Sequence, residues 1–108
     1  MKTKTEIIFE LNNYTEKYNK TKKKEKYTKI DGYMKGLKCV LCIDSSEWHI
    51  REPITEYPIY ILSEQEVRQE IEKALKVVNK LEDKSNKERV SYFIKALYWT
   101  VGEEYETV

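Results

Sequence analysis

The residue pattern predicts an α+β domain: an N-terminal helix, a small antiparallel or mixed β-sheet of three to four strands, and a C-terminal antiparallel helical hairpin packed on it. Three observations predict it. Apolar residues recur at helical spacing near both ends of the chain. Short runs rich in Val, Ile and Cys lie between them, as strands would. Asp31-Gly32, Gly36, Pro53 and Pro58 punctuate that middle region.

The first helix is predicted from residue 5 to about residue 24. Thr5 can cap it, with Glu6 facing the positive end of the helix dipole. Ile7, Leu11, Tyr14 and Tyr18 share one face, and Ile8 widens the stripe. Like charges at Lys22, Lys23 and Lys24 should fray its end.

Asp31-Gly32 then supplies the two positive φ values of a type I′ turn, which predicts a short hairpin of Tyr27–Ile30 with Tyr33–Lys35. Gly36 separates it from Leu37–Ile43, where apolar residues occupy both faces of an alternating pattern. That reads as a central strand covered on both sides. Asp44–Glu47 reads as a turn and Trp48–Arg51 as a half-exposed strand. Pro53 and Pro58 bracket a loop or edge segment, and Ile59–Leu62 is another buried strand.

Ser63-Glu64-Gln65-Glu66 is a capping box. The helix it opens places Val67, Ile71, Ala74, Leu75, Val78 and Leu81 on one face, with Glu72 and Lys76 paired on its surface. It should stop near Asp83–Ser85, with Asn86 capping the last helix and Gly102 ending it in a left-handed position. The short link makes these two helices an antiparallel hairpin.

The last helix carries two apolar stripes. Val90, Phe93, Ile94, Leu97, Tyr98 and Val101 span about 140° of its circumference. Tyr92, Ala96 and Trp99 lie opposite. A helix apolar nearly all round is buried on more than one side. The sheet and the preceding helix can cover the first stripe. The second then calls for the same helix of a second chain, or for the N-terminal helix of its own, so Tyr92, Ala96 and Trp99 are the expected homodimer or partner interface.

The 108 residues fit one domain, with residues 17–29 a Lys-rich segment free to be mobile and 103–108 an acidic tail. The net charge of +1 hides an asymmetry. Residues 1–38 hold eleven Lys against five carboxylates, and the remainder holds nine basic against fourteen acidic residues. Only three of the twenty basic residues are Arg, which disfavours bidentate reading of bases. That bias, with abundant Ile, Tyr and Asn, fits an AT-rich coding genome. The longest apolar run, Cys39–Ile43, is far short of the ~20 residues a membrane span needs. No secretory pattern follows Met1, so a cytoplasmic location is expected.

Few residues offer chemistry. Cys39-Val-Leu-Cys42 has C-x-x-C spacing, but within an apolar strand the two thiols would face opposite sides, and only His49 could join them as a ligand. They read as small core residues, with no metal and no cofactor expected. Asp44, Ser45, Ser46, Glu47 and His49 crowd five reactive positions together, but adjacent residues seldom build a nucleophile–base array, and the stretch reads as a polar turn. No catalytic residues are assigned. Lys20, Lys22, Lys23, Lys24, Lys26 and Lys29 form a phosphate-tracking candidate, with Tyr18 and Tyr27 able to stack on bases. The expectation is a non-enzymatic binding or regulatory protein, a homodimer acting on another macromolecule. An accessory protein of a virus or mobile element that inhibits a host factor fits that description. The alternative is a nucleic-acid-binding protein using residues 17–29.

Overall fold

Four helices account for the regular structure in the computed structural model, which describes residues 1–43 and 60–105. They are α1 (Lys4–Lys20), α2 (Lys24–Val40), α3 (Glu64–Val78) and α4 (Lys84–Thr100). Among the described residues there is no strand, so the domain is all-α and the α+β expectation is overturned.

The error lies in α2. The expected Asp31-Gly32 hairpin and the expected strand from Leu37 are one continuous helix up to Val40. Ile30, Tyr33, Met34, Leu37, Val40 and Leu41 recur at three- and four-residue steps, and all but Ile30 are buried. Gly32 and Gly36 also lie four residues apart on one face. A Cβ at Gly32 would overlap the backbone carbonyl of Arg89, and one at Gly36 would come within 2.7 Å of the Ala96 Cβ and the Phe93 carbonyl oxygen. The glycines therefore let the backbones of α2 and α4 approach closely, and these are the most closely packed pair of helices among the described residues. The expected strand at Trp48–Arg51, the turn before it and the Pro53–Pro58 segment lie outside the described residues. Of Ile59–Leu62, residues 60–62 form no strand; the Leu62 amide donates to the Val40 carbonyl at 2.9 Å and ties the start of α3 to the end of α2.

Local signals set the other boundaries. Thr3, not Thr5, caps α1. Its hydroxyl accepts from the Glu6 amide at 3.2 Å while the Glu6 carboxylate accepts from the Thr3 amide at 3.1 Å. Instead of fraying across Lys22–Lys24, the chain breaks at Thr21 and restarts as α2 with Lys23 in the cap position. The Ser63–Glu66 capping box is present, and the Tyr60 hydroxyl donates to the same Glu66 carboxylate at 2.7 Å. These bonds hold the Glu66 carboxyl below its ordinary pKa. Asp83, three residues before Asn86, caps α4, accepting from the Asn86 amide at 2.9 Å.

Both α2 and α4 end in a Schellman motif. After α4, the Gly102 amide donates to the Trp99 carbonyl and the Glu103 amide to the Tyr98 carbonyl, with Gly102 at φ +84°. After α2, the Cys42 amide donates to the Cys39 carbonyl and the Ile43 amide to the Lys38 carbonyl, with Cys42 at φ +54°. The left-handed position suits glycine and strains a residue bearing a Cβ. Cys42→Gly is expected to raise stability by about 1 kcal/mol. Urea unfolding of the two proteins checks this; an unchanged or lower midpoint would show that the Cys42 side chain contributes more than its backbone strain costs.

The helices form two antiparallel pairs. Tyr14 stacks on Tyr33 with ring centroids 4.2 Å apart, and Tyr18 meets Tyr27 at 4.1 Å with the rings tilted, so α1 runs against α2. Ile94 of α4 packs on Ala74 and Val78 of α3, and Arg68 near the start of α3 reaches Glu103 beyond the end of α4 at 2.9 Å. Gly32 faces Arg89 and Gly36 faces Phe93, so α2 and α4 run in the same direction. The core is filled by Ile7, Leu11, Leu37, Leu41, Val67 and Leu97, each almost wholly inaccessible. Among the described residues no helix is long and apolar enough to cross a membrane.

Candidate functional site

The two antiparallel pairs bring four helix termini to one end of the molecule: the C-termini of α1 and α3 and the N-termini of α2 and α4. Residues 13–31 and 72–91, which make up this half, carry thirteen Lys and Arg against seven Asp and Glu. The opposite half of the described residues carries six against seven. The cationic half therefore draws on both the front of the sequence, residues 13–31, and its rear, residues 72–91.

Lys20, Lys22, Lys23, Lys26 and Lys29 are exposed at this end, and Lys24 is the first residue of α2. Lys20 pairs with Glu16 at 2.7 Å, and the Lys29 ammonium lies 5.8 Å from the centroid of the Tyr92 ring. Lys22, Lys23 and Lys26 form no ion pair among the described residues. Sequence reading missed Lys76, Lys80, Lys84 and Lys87, which are exposed on the α3–α4 turn and its flanks and extend the same cationic surface. Their place depends on α2 and α4 running side by side, and no local pattern encodes that. Tyr18 and Tyr27, expected as base-stacking platforms, are half-buried and packed against each other with their rings tilted, where they join α1 to α2.

The second stripe of α4 is covered in part within its own chain. Ala96 is fully buried against Gly36 of α2. Tyr92 is half-buried, with the Lys29 and Lys95 ammonium groups 5.8 and 5.2 Å from its ring centroid. Trp99 is half-buried against the core, with the Lys2 ammonium 5.2 Å from its ring. α2, read in sequence as strands, covers Ala96, while Tyr92 and Trp99 keep part of their surface exposed.

The two cysteines close α2 instead of alternating along a strand. Both are free. Burial, followed by the nearby Glu70 carboxylate, pushes the Cys39 thiol up to about 11, and burial raises Cys42 as well. Neither is an activated thiolate. Among the described residues no three His, Cys, Asp or Glu side chains converge on a metal position. The Asp44–His49 cluster lies outside the described residues.

An apolar cleft of about 340 Å³ opens between α3 and α4, with Gly32 of α2 in its lining. The sequence clue to it is Val77, an apolar residue outside the core stripe of α3 and 49% exposed.

No family model matches the chain, and no significant match to it occurs among curated proteins or solved structures.

Proposed function

We propose that this is a non-enzymatic protein that binds nucleic acid through its cationic end, tracking the phosphate backbone without reading sequence. The convergence of thirteen basic residues on one half of the fold carries the reading. Lys side chains act as mobile point charges suited to phosphates and poorly suited to bidentate base contacts. The opposite half is close to neutral, so the excess positive charge at one end orients the molecule as it approaches a polyanion.

Fluorescence anisotropy with labelled single- and double-stranded oligonucleotides tests the reading. Binding at 50 mM salt should weaken steeply with added salt. Four neutralised phosphates correspond to a loss of about 100-fold in affinity between 50 and 200 mM. Lys22→Glu/Lys23→Glu/Lys26→Glu should abolish binding while leaving the helical circular dichroism intact, because all three residues are exposed. An affinity unchanged in this triple variant, or no binding at 50 mM salt, refutes the proposal. Binding to anionic vesicles in place of oligonucleotides would reassign the cationic end to membrane surfaces.

A further inference from the structure

We propose that Cys39 and Cys42 are a redox-sensitive pair that closes a reversible disulfide across the C-terminal turn of α2, with a small-molecule disulfide such as oxidised glutathione as the oxidant. The backbone already holds the two residues at the right separation. The Cys42 amide donates to the Cys39 carbonyl at 3.1 Å, which makes residues 39–42 a hydrogen-bonded turn. The first and last Cα atoms of such a turn lie within about 7 Å of each other, and a disulfide spans about 4.4–6.8 Å between Cα atoms, so the bond closes with little movement of the chain. Cys42 is in the left-handed position, and its Sγ lies 3.9 Å from the Val40 carbonyl oxygen, folded back over the turn. In the extended strand read from the sequence the two thiols would face opposite sides. The helix end removes that obstacle, and the Leu62 amide on the Val40 carbonyl at 2.9 Å holds the turn from the side of α3.

Exposure sets the order of events. Cys42 is exposed and Cys39 is half-buried. The Cys42 thiolate attacks one sulfur of glutathione disulfide. That S–S bond breaks, a mixed disulfide forms on Cys42, and one glutathione leaves as a thiolate that takes up the proton Cys42 lost. The Cys39 sulfur then attacks the Cys42 sulfur, the Cys39–Cys42 bond forms, and the second glutathione leaves with the Cys39 proton. Two protein thiols are oxidised and one glutathione disulfide is reduced to two thiols. Burial, followed by the Glu70 carboxylate, pushes the Cys39 thiol up to about 11 and keeps it protonated, so it is a poor nucleophile toward a solute. Within one turn the mixed disulfide is presented at a far higher effective concentration, which offsets that handicap. The pair is therefore slow, and it follows a sustained change in the thiol–disulfide balance of its surroundings.

Incubating the full chain with mixtures of reduced and oxidised glutathione, quenching with acid and measuring the intact mass tests the pair. With the oxidised form in excess, the wild type should become lighter by two hydrogens, and it should regain its original mass when the reduced form is in excess. Cys39→Ser should instead stop one glutathione heavier, because nothing resolves the mixed disulfide on Cys42. Cys42→Ser should stay unmodified over the same time, because its remaining thiol is half-buried and protonated. The oxidised wild type should keep its helical circular dichroism and melt about 5 °C above the reduced form, since the cross-link restricts the unfolded chain. A wild type that keeps its thiols, stops as a glutathione adduct or links two chains into one of doubled mass would overturn the proposal, and so would an oxidised form that melts below the reduced one. The pair lies at the C-terminal end of α2, away from the cationic end, so this experiment and the oligonucleotide experiment can each fail without the other.

Discussion

Gly32→Ala should lower the melting temperature by about 10–20 °C, more than Gly36→Ala. On helix propensity alone the change would help, since Ala is favoured over Gly by about 1 kcal/mol inside a helix. The added Cβ decides the sign. At Gly32 it would overlap the carbonyl oxygen of Arg89, a backbone atom of the neighbouring helix that no rotamer change can move aside. Overpacking of this kind costs typically about 1–3 kcal/mol, and more where the obstacle is rigid. The net loss is expected at about 2–3 kcal/mol. At Gly36 the obstacles are the Ala96 Cβ and the Phe93 carbonyl oxygen, both at 2.7 Å, so the penalty is smaller and a slight separation of the helices relieves it. Thermal unfolding followed by circular dichroism measures both. If Gly32→Ala is as stable as wild type, the helices do not approach as closely as described, and the parallel course of α2 and α4 loses its main support.

The same two glycines explain where the fold is legible in the sequence. Capping chemistry reads well locally. The Ser63–Glu66 box and the left-handed Gly102 stand where the residues predict, and α3 and α4 follow from their stripes. In α2 the stripe of Ile30, Tyr33, Met34, Leu37 and Leu41 is equally present. It loses to Asp31-Gly32, the strongest short hairpin signal, and to a strand-like run of Val, Cys and Ile. Two glycines four residues apart have a second meaning, close approach of helices, and only the partner helix distinguishes it from a turn. The reading of α2 also shapes that of α4. Without α2, half the circumference of α4 lacks a cover, and Tyr92, Ala96 and Trp99 read as an interface. The surface features divide in the same way. The lysines of residues 17–29 are visible as composition. Lys80, Lys84 and Lys87 join them only through tertiary packing, and the cleft depends on Ala74, Val77 and Val90 meeting across two helices.

Leu97→Ala is expected to be the most damaging truncation in α4, and with Trp99→Ala it distinguishes a core helix from an interface helix. Leu97 is fully buried and packs in the central cluster with residues of α1, α2 and α3. Truncating such a leucine removes its transfer free energy and leaves a cavity, at a cost of about 2–5 kcal/mol. Against a total stability of about 5–15 kcal/mol for a domain, that takes a large share and can unfold a marginal protein. Trp99 lies two residues on and is half-buried, with the Lys2 ammonium over its ring. Its truncation should cost less, because part of the indole already faces solvent and the surrounding side chains can relax into the space. Urea unfolding should place the two variants in that order, and light scattering should give the Trp99→Ala variant the same mass as wild type. An interface helix would reverse the pattern, with Trp99→Ala lowering the mass while the subunit kept its stability. The order of the two urea midpoints therefore tests whether α2 covers the second stripe of α4 in solution, and the scattering mass tests the same point independently.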